Sequence, residues 1–282
     1  MAEPAPAVSG RLERPNLVPE GIAGVDAGLT LVKLARGSDG AVLFDAYEAG
    51  DVDPMSLLAA AGLRAGGVTG ARLREVPEGL RGVDEIEAAV RGACALLAAG
   101  EMEGGHFLLI LLGTGTAFVD VRDGAGRHLG GTALGGGSFA GVARRIEPSL
   151  RYREMIEGAG RGDRRRVDAM IADVYPQGIG RIGPDLTAAH FAKSGEGSLD
   201  DVLAALLNLH GENIAQIAAG RARMVETRRA VLAGGFAQEN PLLVESLSSM
   251  LSMFGVATEV APHPGFAGAL GAALIGAEEV TA

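Results

Sequence analysis

The chain contains the same short unit twice: a strand, a tight turn rich in glycine and threonine, and a second strand. The first copy reads VDAGLTLVK and the second reads LLGTGTAFVDV. Short apolar runs bounded by glycine are typical of strands joined by tight turns. A repeated unit of this kind predicts two similar lobes with a cleft between them.

Composition narrows the class of protein that these lobes can form. Glycine accounts for 44 of the 282 residues, about twice the usual share of ~7%. The hydrophobic fraction of 48% excludes a disordered chain, and one cysteine excludes a disulfide scaffold. A net charge of −10 and the absence of tryptophan argue against nucleic-acid binding. No apolar run reaches the ~18 residues of a membrane span, so we expect neither nucleic acid nor membrane as a partner.

The glycine and proline pattern predicts three regions. Residues 1–20 contain four prolines and no apolar run long enough for a secretion signal, so we expect a flexible tail on a cytoplasmic protein. Residues 21–105 form the predicted N-terminal lobe, with the first turn. Residues 106–282 form the predicted C-terminal lobe, with the second turn and a glycine-rich loop. The coarse fold class is mixed α/β in two lobes.

Periodicity assigns the main elements within these lobes. Three strands are predicted over 21–50, a short strand near 67–68, and a second set of strands from 106 to 131. Apolar residues at helical spacing predict the helices 54–62, 83–100, 167–174, 199–225 and 240–254. Two short strands, 230–233 and 256–260, interrupt the last helices.

The two turns and the glycine-rich loop carry residues suited to binding phosphate. Asp26 ends a strand and is followed by Gly28, Thr30 and Lys33, so a hydroxyl and an ammonium group flank a turn that can approach an anion closely. Asp26 itself is an acceptor that suits water bound to Mg²⁺. GTGT repeats the arrangement, and GGTALGGGSFAG then leads into a helix whose N-terminus favours an anion.

These segments, in this order, resemble the type II pantothenate kinases of the acetate and sugar kinase/Hsp70/actin superfamily. The matching segments are DAGLTLVK, DEIEAAVRG, GTGT, RHLGGTALGGGSFAG, GDRRRVDAMIADVY, DLTAAHFAK, ENIAQIA, LAGGF and FAGALGAAL. The resemblance implies a two-lobed actin-like kinase fold of duplicated ribonuclease H-like domains around a nucleotide cleft. It also implies phosphorylation of pantothenate by ATP with Mg²⁺, the first step towards coenzyme A, and a homodimer joined through the ENIAQIA helix.

The resemblance assigns roles to individual residues. It makes Glu85 the general base, although from the residues alone Asp84 and Glu87 are equally eligible. It places pantothenate near His128, where relatives have an arginine, and near Arg127; Asp26 is the expected metal contact. The residues expected to bind the nucleotide are Gly28, Leu29, Thr30, Lys33, Thr114, Gly136, Gly137, Ser138, Phe139, Tyr152 and Gly235.

Several positions depart from the family pattern. Leu29, Ala71 and Arg72 stand where relatives have glycine, and Ala117 replaces a serine. These changes leave two alternatives open: a kinase of the same fold acting on another small alcohol or sugar, and an ATP-binding regulatory or scaffold protein without turnover.

Overall fold

A computed structural model describes residues 5–54, 56–57, 65–73, 75–76, 78–97, 105–180, 182–195, 197–238 and 240–280. The helix predicted over 54–62 lies mostly outside these residues, as does the predicted end of the next helix at 98–100. Within the described part, no helix is both long and apolar enough to span a membrane.

The first lobe is built on a six-stranded sheet. Its strands are β1 (Val8–Glu13), β2 (Ile22–Ala27), β3 (Leu31–Ser38), β4 (Ala41–Glu48), β5 (Ala65–Thr69) and β6 (Arg81–Gly82). They lie in the order β1-β4-β3-β2-β5-β6. The pairs β2–β3 and β3–β4 are antiparallel hairpins, whereas β5 joins β2 in parallel. The three predicted strands over 21–50 and the short strand near 67–68 are therefore confirmed.

The second lobe repeats this arrangement with five strands. They are β7 (His106–Leu112), β8 (Thr116–Arg122), β9 (Ala125–Thr132), β12 (Arg229–Ala233) and β13 (Ala257–Val260). Their order, β13-β12-β7-β8-β9, matches β6-β5-β2-β3-β4 of the first sheet strand for strand. This equivalence confirms the two similar lobes inferred from the repeated unit. A small separate hairpin pairs β10 (Ala169–Met170) with β11 (Thr187–Ala189).

Six α-helices are described around the two sheets. They are α1 (Glu85–Leu97), α2 (Gly136–Ile146), α3 (Tyr152–Arg161), α4 (Leu199–Met224), α5 (Pro241–Met253) and α6 (Ala267–Val280). Helices α2 to α5 enclose an apolar core with one face of the second sheet, and its fully buried members include Phe118, Phe139 and Met155. A second core holds side chains from both sheets together with α1 and α6, so it joins the lobes.

Helix α6 returns to the first lobe, although the sequence placed residues 106–282 in the second. Small residues let it approach α1 closely, because a Cβ at Gly271 would lie 1.7 Å from the Ala88 carbonyl oxygen. A Cβ at Gly24 of β2 would similarly lie 2.0 Å from the Ala269 carbonyl oxygen. The small residues of α6 therefore allow tight packing against α1 and the first sheet.

Two other expectations differ from the structure. Residues 8–13, assigned to a flexible tail, form β1 and pair with β4 in a regular antiparallel register. The alternating burial of β1 supplies the reason: its apolar residues Val8 and Leu12 pack against the shared core. No α-helix forms over 167–174. There the chain makes 3-10 turns around β10, and buried Asp168 accepts a hydrogen bond from the Phe191 amide at 2.9 Å.

Candidate active site

A cleft of about 1160 Å³ lies between the two sheets. Both strand-turn-strand units open into it, because the equivalent ends of the two sheets face each other. Twelve residues singled out from the sequence line it: Asp26, Gly28, Leu29, Thr30, Lys33, Ala71, Glu85, Thr114, Gly136, Gly137, Tyr152 and Gly235. Ala117, one of the departures from the family pattern, also lines it.

The two turns come into contact in this cleft. Thr30 follows β2 and Thr114 follows β7, and their Oγ1 atoms lie 3.4 Å apart. The separation in sequence is large, so only the packing of the two lobes brings these hydroxyl groups together. Two hydroxyl groups on opposite walls can contact the same anion from both sides.

Asp26 and Lys33 form an ion pair beside the first turn. They face each other across β2 and β3, and Lys33 Nζ donates to Asp26 Oδ2 at 3.1 Å. Both side chains are mostly buried, with 14% and 13% exposed. A Cβ at Gly235 would lie 3.8 Å from Lys33 Nζ, which places the ammonium group between the two walls of the cleft.

The glycine-rich loop is fixed to the second turn by its backbone. The amides of Gly136 and Gly137 donate to the carbonyls of Gly113 and Thr114, both at 2.9 Å. Their N–H groups are therefore already used, contrary to the expectation that they stay free for an anion. The glycines instead allow the loop to lie close against the second turn. A Cβ at Gly135 would lie 2.6 Å from the Thr114 carbonyl oxygen, and one at Gly137 would lie 2.5 Å from Thr114 Cγ2.

One face of α2 forms a flat wall of the cleft. Its members are Gly137, Ala140, Gly141 and Arg144, spaced i, i+3, i+4 and i+7, which places them on one side of a helix. A Cβ at Gly141 would meet no atom within 4 Å, so this position faces open space. The wall ends at Arg144, about 10 Å along the helix from Gly137 at 1.5 Å per residue.

The structure separates the three acidic residues at the start of α1. Asp84 caps the helix, because its Oδ1 accepts from the amides of Ile86 and Glu87 at 2.9 and 3.0 Å. Asp84 and Glu87 border a smaller cavity of about 340 Å³ on another side of the helix. Glu85 alone of the three lines the main cleft.

Glu85 lies in a setting that strengthens it as a base. Burial raises the pKa of its carboxyl group, the negative charge of Asp26 raises it further, and Lys33 opposes the rise. A carboxylate with a raised pKa holds an accepted proton more firmly at neutral pH. The nearness to Asp26 and Lys33 also places Glu85 beside the first turn.

Two residues expected to contact the nucleotide turn away from the cleft. Phe139 is fully buried in the core of the second lobe. The Ser138 hydroxyl lies 2.8 Å from Nε2 of His210 and accepts from the Gly135 amide at 3.0 Å. Neither side chain lines the cleft. Tyr152 does line it, and burial raises the pKa of its phenol group.

Arg127 and His128 lie outside the cleft on the exposed part of β9. Arg127 Nη2 donates to Asp120 Oδ2 at 3.0 Å, and its side chain is 68% exposed. Burial alone would raise the pKa of Asp120, but hydrogen bonds from Arg127 and His106 bring it below its usual value. The cleft begins further along the same strand, at Gly131. The structure therefore gives Arg127 a partner within the second lobe and places it outside the cleft.

The departures from the family pattern have local explanations. Leu29 does not adopt a positive φ, and 61% of its surface is exposed, so its side chain leaves the turn intact. Arg72 turns away from the cleft and donates to the Ala49 carbonyl at 2.5 Å. Ala71 and Ala117 line the cleft as small side chains.

Sequence reasoning missed four charged residues of the cleft. Glu48 and Asp51 line it near the first lobe, and Arg144 and Arg151 line it where α2 ends and α3 begins. Within the described chain, neither arginine side chain has a carboxylate partner. The spacing of Gly137, Ala140, Gly141 and Arg144 after the glycine-rich loop was a readable signal for the helical wall.

Asp26 is the described residue best placed to contact a metal ion. Lys33 occupies its Oδ2, whereas its Oδ1 faces the first turn, 3.9 Å from where a Cβ of Gly28 would lie. Among the described residues, no group of three or more His, Cys, Asp or Glu side chains is arranged to hold a metal. A single carboxylate fits Mg²⁺ that arrives with a nucleotide, since such ions take most of their ligands from phosphate and water.

Comparison with known proteins agrees with this geometry. Residues 105–275 match the family described as Fumble. The chain is 31% identical over 260 residues to the type II pantothenate kinase of Oceanobacillus iheyensis, a match that covers 89% of this chain and 98% of that protein.

Solved structures show the same fold at lower identity. The activator of 2-hydroxyisocaproyl-CoA dehydratase from Clostridium difficile with bound ADPNP has a TM-score of 0.62 at 16% identity, covering 92% of this chain and 95% of that one. A ROK family glucokinase from Streptomyces griseus in complex with glucose and AMPPNP has a TM-score of 0.56 at 16% identity, covering 91% and 99%. These likenesses confirm the two-lobed actin-like kinase fold. On its sequence matches, the chain belongs to the Fumble family of type II pantothenate kinases.

Proposed function

We propose that this protein phosphorylates pantothenate with ATP to give 4'-phosphopantothenate, the first step of coenzyme A synthesis. The observation that carries the proposal is the contact between the two turns, where Thr30 and Thr114 hydroxyl groups lie 3.4 Å apart in the cleft that also holds Glu85. This arrangement offers phosphate contacts from both lobes beside the carboxylate of Glu85. Membership in the family of type II pantothenate kinases supports pantothenate as the acceptor of the phosphoryl group.

The triphosphate lies between the two turns and the base lies against α2. Lys33 and the Thr30 and Thr114 hydroxyl groups contact phosphate oxygens, and the N-terminus of α2 contributes its dipole. The bare face at Gly137, Ala140 and Gly141 leaves room for a flat base close to the helix. In this assignment the glycine-rich loop lets the nucleotide come close to the helix. It does not donate its first amides, because these are bound to the second turn.

Glu85 accepts the proton of the substrate hydroxyl. As that oxygen forms its bond to the γ-phosphorus, the bond from the γ-phosphorus to the bridging oxygen breaks, and ADP leaves with the electron pair. The proton ends on the Glu85 carboxylate, whose raised pKa favours that transfer. Asp26 holds Lys33 in position and offers its second oxygen to Mg²⁺. Mg²⁺ bound with the nucleotide would supply positive charge to offset the charge that develops on the phosphates.

A coupled ADP-release assay with pantothenate tests the proposal. Glu85→Gln should lower kcat by ~10²–10⁴-fold, the usual contribution of a general base. Glu87→Gln is the matched control, because Glu87 lies on the same helix but borders the smaller cavity. If Glu85→Gln turns over at the wild-type rate, the assigned base is wrong.

The charged residues of the cleft justify testing a second candidate for the substrate that accepts the phosphoryl group. Glu48, Asp51 and Glu85 line the cleft, whereas Arg127, the cation expected to bind the carboxylate of pantothenate, points elsewhere. A panel of neutral alcohols and sugars should therefore be compared with pantothenate by kcat/KM. Tight binding of ATP with no phosphorylated product from any acceptor would instead favour a regulatory protein.

We also propose a homodimer that works in the cytoplasm, where ATP is supplied. The ENIAQIA segment of α4 is largely buried in this chain's own core, so it leaves little surface for a partner. Large apolar side chains are instead exposed between α3 and α4: Val174, Tyr175, Ile179, Ile182 and Phe191. A second copy covering them would remove that apolar surface from water. Light scattering coupled to gel filtration measures the mass, and a monomer at micromolar concentration would contradict this assembly.

A further inference from the structure

His210 lies directly beneath the glycine-rich loop, although it belongs to α4 in the middle of the second lobe. Only 2% of the residue is exposed. Its ring meets Phe139 and Phe236 edge-on, with centroids 6.0 and 6.1 Å away. Its Nε2 lies 2.8 Å from the Ser138 hydroxyl at the first turn of α2. The nucleotide mechanism makes no use of this buried imidazole.

The hydrogen bonds around the ring define which nitrogen carries the proton. Nδ1 lies 2.8 Å from the Leu206 carbonyl oxygen, which can only accept, so Nδ1 is the donor in the neutral ring. Nε2 is then an acceptor and lies 2.8 Å from the Ser138 hydroxyl. The Gly135 carbonyl oxygen competes for the same hydroxyl proton at 3.0 Å, but an unprotonated, buried Nε2 has no other donor, so we assign the proton to the bond with His210. Burial lowers the pKa of His210, partly offset by the bond to Leu206, which keeps the ring neutral at neutral pH.

This bond is the start of a continuous connection to the second turn. The Ser138 hydroxyl oxygen accepts from the Gly135 amide at 3.0 Å, while the next two amides, of Gly136 and Gly137, bind the carbonyls of Gly113 and Thr114. The same helical turn therefore holds both the loop and the turn that carries the Thr114 hydroxyl. A shift of Ser138 would move both.

We infer that His210 is a positioning residue for the nucleotide: by accepting the Ser138 proton, it fixes the glycine-rich loop and the second turn where phosphate binds. This inference rests on the proposed function, since it takes the loop as the nucleotide wall. His210 itself does not line the cleft, so its effect passes through Ser138.

The test combines variants of both partners with direct nucleotide binding. His210→Phe keeps a ring between Phe139 and Phe236 but cannot accept the proton, and Ser138→Ala removes the donor. Each should weaken binding of the ATP analogue AMPPNP with Mg²⁺ by about three- to tenfold, the value of one lost hydrogen bond. The double variant should bind no more weakly than the weaker single variant, because the two residues act through one bond.

Ser246→Ala is the matched control. Its hydroxyl donates to Asn208 Oδ1 at 3.0 Å, so it removes a comparable hydrogen bond between α5 and α4 without touching the loop. It should lower the melting temperature and leave nucleotide binding unchanged. Ser138→Thr, which keeps the hydroxyl, should restore binding to the wild-type level.

The outcomes separate the inference from the function on which it rests. If the wild-type protein does not bind AMPPNP, the proposed function fails. If the wild-type protein binds it, and both His210→Phe and Ser138→Ala bind equally well at a lower melting temperature, His210 has only a structural role and the inference is overturned. A loss confined to Ser138→Ala would also overturn it, since Ser138 would then act without His210. Should His210→Phe fail to fold, His210→Leu, which also removes the acceptor, replaces it in the comparison with Ser138→Ala.

Discussion

Gly141 gives the most direct test of where the nucleotide base lies. It stands in the middle of α2 and faces the cleft, and a Cβ added at this position would meet no atom within 4 Å. Gly141→Ala should therefore stabilise the free protein by ~0.5–1 kcal/mol through the gain in helix propensity. At about 2–4 °C per kcal/mol for a chain of this size, the melting temperature should rise by roughly 1–4 °C.

A longer side chain at the same position should have the opposite effect on binding. Gly141→Leu keeps the helix propensity, but its side chain extends into the space that we assign to the base. Overpacking of this kind costs about 1–3 kcal/mol, which corresponds to a roughly 5- to 150-fold weaker affinity for ATP. The fold should be unaffected, because nothing but the ligand competes for this space.

Calorimetric titration with Mg²⁺ and AMPPNP measures the affinity, and thermal melting of the free protein checks the fold. Gly220→Leu is the control, since Gly220 also lies within a helix with open space at its Cβ position, but outside the cleft. Wild-type affinity in a stable Gly141→Leu variant would refute the placement of the base against α2.

Further predictions concern charged residues in and beside the cleft. The pKa of Glu85 is raised and a general base must be deprotonated, so the acid limb of kcat/KM should lie above the range of an ordinary glutamate and disappear in Glu85→Gln. Arg144→Ala should raise KM for ATP several-fold, through lost contact with the base, without changing KM for pantothenate; Arg145→Ala, one position along α2, is its control. Arg127→Ala should leave KM for pantothenate unchanged but lower the melting temperature, because it removes a hydrogen bond to buried Asp120. A rise in that KM would restore Arg127 to the substrate site.

The turns could be predicted from sequence because their chemistry is local. A strand end, a glycine and a threonine within a few residues identify both Thr30 and Thr114, and the repeat indicates that they belong to equivalent lobes. The distance between them could not be predicted, since it depends on how two sheets pack through a shared core. That packing also shows which acidic residue of α1 faces the cleft, a question that the spacing of Asp84, Glu85 and Glu87 left open.

Arg127 and Ser138 were expected in the cleft but lie outside it, and the two share a physical cause. Each is bonded to a partner that is remote in the chain or on a neighbouring strand. Arg127 is held by Asp120 across the β8–β9 register, and Ser138 is held by His210, far along the chain. A motif gives the identity of a side chain but not the competing acceptor that turns it away from a ligand. Residues 8–13 show the same limit, since a strand at the edge of a sheet depends on β4 for its hydrogen bonds.

The return of α6 to the first sheet has a consequence for the order of events on the ribosome. The strands β2 and β5 and the helix α1 are made early, yet the surface they share stays uncovered until residues 267–280 emerge. At ~5–20 residues per second, that delay is on the order of 10–30 s. Because Asp26 lies beside the first turn of α6, with its Oδ2 3.1 Å from where a Cβ of Gly268 would stand, the corner of the cleft that we propose for Mg²⁺ is completed only then. The first lobe therefore depends on the last described helix, and the two lobes are expected to mature together instead of one after the other.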